Sequence, residues 1–204
     1  MIQAIVYRAV CFTCYIIFKL FYRIEVRGVE NIPDGPAIIA PNHISYLDPP
    51  IVGASCPKQI HYLANAYLFE NPLFGRFIRY VNSHPVKTEA QDTQALKMVL
   101  RLLHEGHKVL VFPEGTRSPD GKLQPLKLGC AMMALHAHCP IVPVRIEGAH
   151  EIWPKERKMP YLTGKLRVTY EKPLYPEMIE AASKKEAQQL LTKELEKRLS
   201  RQYQ

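Results

Sequence analysis

His43 and Asp48 stand five positions apart in the stretch Pro41-Asn42-His43-Ile44-Ser45-Tyr46-Leu47-Asp48-Pro49-Pro50, between a short apolar run, Ala37 to Ala40, and a double proline. A neutral imidazole is the side chain best suited to accept a proton near pH 7. A nearby carboxylate fixes the ring's tautomer and stabilises the imidazolium as it forms. The pair reads as a general base with no nucleophile of its own, acting on a hydroxyl that the substrate brings. The plain alternative is a surface loop whose aspartate caps a helix: Asp48 before Pro49 has the form of an N-cap followed by proline at the first helical position.

A second constellation lies about seventy residues on. The apolar run Val109-Leu110-Val111-Phe112 leads directly into Pro113-Glu114-Gly115-Thr116-Arg117-Ser118. Gly115 lets the backbone come close to a ligand, and Arg117 can grip a phosphate through two parallel hydrogen bonds. Glu114 can accept from a substrate hydroxyl or hold Arg117 in place. If the strands before His43 and after Lys108 are parallel neighbours, both loops open at one edge of the sheet, where α/β proteins place their chemistry. A base and an anion clamp then share a cleft.

The remaining candidates are weaker. His61, His84, His104, His107, His136, His138 and His150 lack an aspartate at the same offset, and Glu89, five residues after His84, fits better as the start of a capped helix. His136 and His138 have no third ligand nearby, so no metal is expected. Ser45 and Ser118 lie outside any G-x-S-x-G elbow, which argues against a serine hydrolase. Cys11-x-x-Cys14 sits in an apolar run with no βαβ pattern before it, and the five cysteines read as small buried hydrophobes in a reducing compartment. Trp153 among Lys155, Arg157 and Lys158 reads equally as a lipid anchor or a solvated loop.

The elements that position these residues follow from punctuation and periodicity. Short buried strands are expected at Ile24 to Val29, Ala37 to Ala40, Ile60 to Leu63, Val81 to Val86, Val109 to Phe112, Ile141 to Ile146 and Gly164 to Tyr170. Helices are expected after Asp48, after Asn71-Pro72, from Glu89 to His104 with Thr88 and Gln91 as a capping box, from Gly129 to Ala137 and from Glu177 to Arg201. This alternation predicts one α/β domain over residues 24–204, with a mixed, mostly parallel sheet flanked by helices. Residues 1–23 form a separate expectation. Arg8 and Lys19 bracket an uncharged run too short for the ~20 residues of a membrane span. On a helix Arg8, Lys19 and Arg23 gather within about 60° of one another while most Ile, Val and Phe lie elsewhere, as in a helix resting in a membrane interface. A helix packed on its own domain is the alternative.

The length of 204 residues supports a single core, and a hydrophobic fraction of 47% is too low for a multi-span membrane protein. A net charge of +8 calls for an anionic partner, which charge alone does not choose. No nucleic-acid recognition motif accompanies it.

At Asn42-His43 with Asp48, at Phe112 to Ser118, at Lys127 with Gly129 and at Val142-Pro143-Val144, the chain resembles the PlsC-type glycerophospholipid acyltransferase family. The resemblance runs from about Ile24 to Pro173. It implies transfer of an acyl group from acyl-CoA or acyl-carrier protein to the hydroxyl of 1-acyl-glycerol-3-phosphate, with His43 as base, Asp48 orienting it, and neither metal nor cofactor. Lys87, Glu114, Gly115, Thr116 and Arg117 then form the acceptor and phosphate site. The family's second motif usually carries arginine where Val86-Lys87 stands, and a lysine there offers a point charge in place of a planar fork. Another acceptor, glycerol 3-phosphate or an amino-acid lyso-lipid, and a non-catalytic membrane module remain as alternatives. The expected setting is the cytoplasmic face of a membrane, held peripherally or monotopically on an anionic surface, with no nucleic-acid partner.

Overall fold

Seven strands join into one sheet in a computed structural model that describes residues 2–86 and 93–200. In chain order the elements are α1 (Ile2–Tyr22), β1 (Glu25–Arg27), β2 (Ala37–Pro41), α2 (Asp48–Ser55), β3 (Ile60–Asn65), α3 (Pro72–Tyr80), β4 (Ser83–Val86), α4 (Thr93–His104), β5 (Lys108–Leu110), α5 (Gly129–Ala137), β6 (Ile141–Glu147), α6 (Ala149–Ile152), β7 (Arg167–Tyr170) and α7 (Lys184–Leu199). The spatial order is β1-β7-β6-β2-β5-β3-β4. Five neighbouring strands, from β6 to β4, run parallel; β7 pairs antiparallel with β6, and β1 runs parallel to β7. The expected mixed, mostly parallel sheet is therefore present, with β2 and β5 as direct parallel neighbours.

β2 shows why the centre is parallel. Ala37 to Ala40 are fully buried, with Ala37 and Ile39 facing the layer of α1 and α2 while Ile38 turns to the layer of α4, α5 and α7. A strand covered on both faces is written as a continuous apolar run. Each of its two isoleucines contributes about 1.5 to 3 kcal/mol by leaving water.

Several boundaries differ from the sequence expectation, each for a local reason. The first strand stops at Arg27, because Gly28 turns with φ +73° directly against the Tyr170 carbonyl, where a Cβ would stand 2.1 Å from that oxygen. The C-terminal helix begins at Lys184 rather than Glu177. Ser183 caps it by accepting from the Glu186 amide, and Pro176–Met178 form a single 3-10 turn before it. Asn71 caps α3 through the Phe74 amide, as its placement before Pro72 suggested. The capping box at Thr88 and Gln91, the expected helix start at Glu89, and Lys87 lie outside the described residues.

α1 is a 21-residue helix, longer than its uncharged run alone implies, and by length and composition it suffices to cross a bilayer. One side packs on the protein: Tyr7, Phe18 and Tyr22 are buried in the core beneath it. The Tyr7 hydroxyl lies 3.2 Å from that of Tyr62 and accepts from the Ile60 amide. Near its start the Gln3 amide donates to Asn82, and at its end the Tyr22 carbonyl accepts from Leu166. The helix thus runs across one face of the sheet from β3 and β4 to β7. Its other side leaves Ile2, Ile5, Phe12, Ile16, Leu20 and Phe21 exposed. All five cysteines are free, and Cys56, Cys130 and Cys139 are buried.

Candidate active site

The carboxyl end of β2 delivers His43, and Asn42 fixes where that end points. Its side-chain oxygen accepts from the Ile146 amide at 2.7 Å and its side-chain nitrogen donates to the Ile146 carbonyl at 2.9 Å, tying β2 to β6. His43 then leaves the sheet. Its Nδ1 lies 2.8 Å from Asp48 Oδ2, and that same oxygen accepts from the backbone amides of Ile44 at 2.7 Å and Ser45 at 2.8 Å. Asp48 is therefore not the N-cap expected of it: it is the first helical residue of α2, with Leu47 preceding, and its carboxylate folds back over the loop it follows.

Those contacts settle the tautomer. A carboxylate that takes two amide hydrogens is an acceptor, so Nδ1 of the neutral ring donates and Nε2 carries the free lone pair. Asp48 has no exposure, and burial pushes its carboxyl above the ordinary carboxylate range, opposed by His43 and the two amides. The ring itself is about one-fifth exposed. It stacks on Phe112, centroids 3.7 Å apart and planes 16° from parallel, which holds the imidazole flat against the end of the neighbouring strand.

The loop after β5 arrives at the same edge and is joined to the first in two places. The Ser118 amide donates to the His43 carbonyl at 2.7 Å. Glu114 accepts from the His43 amide at 2.6 Å through one oxygen and from the Gln124 amide at 2.7 Å through the other. Glu114 is 1% exposed, and burial raises its carboxyl, offset by those two amides. Both of its oxygens thus hold backbone in place, and its contacts include no ion pair with Arg117. Gly115 turns with φ +71°, and a Cβ there would sit 2.8 Å from Lys127 Nζ, so the glycine makes room for an ammonium across the turn. Thr116 is exposed beside it. The Arg117 guanidinium carbon sits 3.4 Å over the Tyr46 ring, and its Nε is buried without a hydrogen-bond partner among the described residues.

The site thus brings together His43, Asp48, Glu114, Gly115 and Arg117. Lys127 entered the sequence reading only as part of a motif, yet its ammonium stands over the turn. Tyr46 and Phe112 entered the sequence reading only as members of the two stretches, with no role assigned; the contacts of their rings with Arg117 and His43 appear only in the fold. Among the described residues no three His, Cys, Asp or Glu side chains are arranged to hold a metal ion. His61, His84 and His107, set aside individually, do meet: His61 Nδ1 lies 2.9 Å from His84 Nε2, and the His61 and His107 rings stack at 4.3 Å.

A histidine base oriented by a buried carboxylate, with Arg117 and Lys127 on the adjoining loop and no serine or cysteine side chain hydrogen-bonded to the imidazole among the described residues, suits attack by an incoming hydroxyl on an electrophile in a molecule that bears an anionic group. Comparison with known proteins gives this chemistry a family. The family model described as Acyltransferase matches residues 23–147. A 1-acyl-sn-glycerol-3-phosphate acyltransferase of Bacillus subtilis is 31% identical over 186 residues, covering 90% of each chain. A chloroplast enzyme of the same name from Brassica napus is 32% identical over 159 residues, 76% of this chain and 46% of its own. The chain thus spans nearly the whole bacterial relative but under half of the chloroplast one. The crystal structure of the 1-acyl-sn-glycerophosphate acyltransferase PlsC from Thermotoga maritima superposes with a TM-score of 0.76 at 29% identity, over 99% of this chain and 83% of that one.

Proposed function

This chain belongs to the acyltransferase family, and from that premise we propose that it moves an acyl group from a thioester to the free hydroxyl of 1-acyl-glycerol-3-phosphate, giving phosphatidate. The observation that carries the reading is the His43–Asp48 pair, whose Nδ1 is committed at 2.8 Å to a buried carboxylate while Nε2 is left free. Nε2 takes the hydroxyl proton as the oxygen attacks the thioester carbonyl carbon. The tetrahedral intermediate expels the thiolate, and the imidazolium returns the proton to that sulfur. Asp48 keeps the ring in register and balances its positive charge between the two steps. Base assistance of this kind is worth roughly 10²- to 10⁴-fold, or about 3 to 5.5 kcal/mol of barrier.

Arg117, and Lys127 across the Gly115 turn, supply the positive charge for the acceptor's phosphate. Lys87, the residue after β4 in sequence, is proposed to join them. Either acyl-CoA or acyl-carrier protein can serve as donor, since both are anionic and the chain carries a net charge of +8. No cofactor has a step in this scheme. We place the protein on a membrane surface through the exposed side of α1, because acceptor and product are both lipids and that side is apolar.

The test is thiol release from palmitoyl-CoA, with lysophosphatidate present or withheld, for the wild type and His43→Ala. Release that requires both the acceptor and His43 is expected. Release in His43→Ala near the wild-type rate would remove His43 as the base. No release with palmitoyl-CoA, acyl-carrier protein or other lyso-lipids would overturn the enzymatic reading itself.

A further inference from the structure

Arg117 reaches the site with one face already occupied. Its guanidinium carbon stands 3.4 Å above the centre of the Tyr46 ring. Tyr46 in turn packs against Trp153, with ring centroids 5.2 Å apart and planes at 46°. Trp153 is itself fastened at both ends: its carbonyl accepts from Ser45 Oγ at 2.8 Å and its indole nitrogen donates to the Arg157 carbonyl at 2.8 Å. Three segments far apart in sequence, the loop after β2, the loop after β5 and the turn after α6, therefore meet as one tier of guanidinium, phenol ring and indole.

Stacking and anion binding use different directions of a guanidinium. The ring takes the flat face, whereas a phosphate takes the in-plane N–H edge. An arginine backed in this way is already ordered before the anion arrives, so less side-chain freedom is lost on binding. A free arginine on the mobile side of a turn would have to be ordered by the substrate.

We propose that Tyr46 and Trp153 are positioning residues for the acceptor's phosphate: Trp153 props Tyr46, and Tyr46 holds the Arg117 guanidinium face so that its edge meets the anion. This rests on the reading of Arg117 as a phosphate contact. Neither aromatic touches the reacting atoms, so their effect falls on the acceptor's KM and not on the chemical step.

The experiment measures acceptor KM, donor KM and kcat for Tyr46→Phe, Tyr46→Leu, Tyr46→Ala and Trp153→Ala, each with Arg117 intact and in an Arg117→Ala background. Tyr46→Leu keeps apolar bulk if the alanine variant does not fold. Tyr46→Leu and Tyr46→Ala are expected to raise acceptor KM about 3- to 10-fold. Tyr46→Phe, which keeps the ring, should match the wild type. Trp153→Ala should shift the same parameter by less, and kcat and donor KM should hold within about twofold. In the Arg117→Ala background the Tyr46 substitutions should add nothing, since the group they support is gone. If a Tyr46 substitution lowers kcat and raises both KM values together, or keeps its full effect without Arg117, the aromatic tier only supports the fold and the proposal is overturned. If Arg117→Ala alone leaves acceptor KM unchanged, the phosphate reading of Arg117 is what fails, and the tier's proposed purpose goes with it.

Discussion

At the scale of single residues, the division of labour between two buried carboxylates sets what each substitution will do. Asp48 touches the base directly, while Glu114 holds the backbone that carries it, with one oxygen on the His43 amide and one on Gln124. Glu114→Gln would put an NH₂ group against one of those amides, leaving two donors face to face. We expect it to lower kcat, with a stability loss of about 1 to 3 kcal/mol and little change in either KM. Kinetics beside a thermal melt would check this, and a change confined to acceptor KM would return Glu114 to the acceptor pocket. From the sequence, His43 and Asp48 share a cleft with Glu114 and Arg117 only if the strands leading into the two stretches are parallel neighbours, and β2 and β5 are. The sequence did not disclose the job of Glu114, because a carboxylate beside an arginine invites an ion pair, whereas the fold spends both oxygens on backbone amides ten and seventy-one residues away.

At the scale of elements, β2 and β5 were legible as short buried strands because each is an apolar run ending in a polar stretch, and their parallel pairing, a condition in the sequence reading, is met. The strands at the other side of the sheet were expected too, at Ile24 to Val29 and Gly164 to Tyr170, but their reversed direction was not, since a three-residue strand such as β1 has no periodicity to read. The histidine cluster escaped for the same reason: His61 on β3, His84 on β4 and His107 before β5 meet only through strand order. Burial, then the neighbouring His107 and His84, lower the His61 pKa to about 4, and burial also lowers that of His84. Arg101 and Glu105 face the cluster from the end of α4 and the turn after it, and Arg79 from α3. The unfolded chain takes a proton near pH 6.5, whereas folded His61 resists it until about pH 4. Stability from this residue is thus complete above pH 6.5 and is lost as pH falls toward 4. We expect the wild-type Tm to drop across that interval more steeply than that of His61→Asn. Parallel pH profiles would expose an unlowered His61.

At the scale of the whole molecule, α1 presents two sides with separate duties, and this changes how membrane attachment has to be tested. Deleting residues 1–23 would also strip Tyr7, Phe18 and Tyr22 from the core, so loss of vesicle binding in such a truncation would have two causes. Substituting the outer side separates them. The combined Phe12→Ser, Ile16→Ser and Leu20→Ser variant is expected to leave anionic vesicles in a flotation assay while its Tm stays near the wild type. Phe18→Ala, on the inner side, should cost about 3 to 5 kcal/mol of stability and leave vesicle binding in place. Retention of the triple variant on vesicles would move the attachment to another surface. Of the three cations expected on one stripe, Arg8 and Lys19 lie on α1 while Arg23 falls just past its end with φ +47°, and sequence alone could not tell lipid from core, because both ask for the same apolar side chains.

Among the described residues the edge strand β1 pairs only with β7, so Glu25 meets Arg167 at a separation of 142 positions. On a ribosome adding roughly 5 to 20 residues each second, that partner emerges about 7 to 28 s after β1 does. Through that interval the Leu166 amide that donates to the Tyr22 carbonyl has not been made, and α1 has no finished sheet to lie across. α1 finds its first partners, α2 and Tyr62, soon after it is made, and its last, Leu166, only when β7 arrives, so the edge made first is the edge completed last.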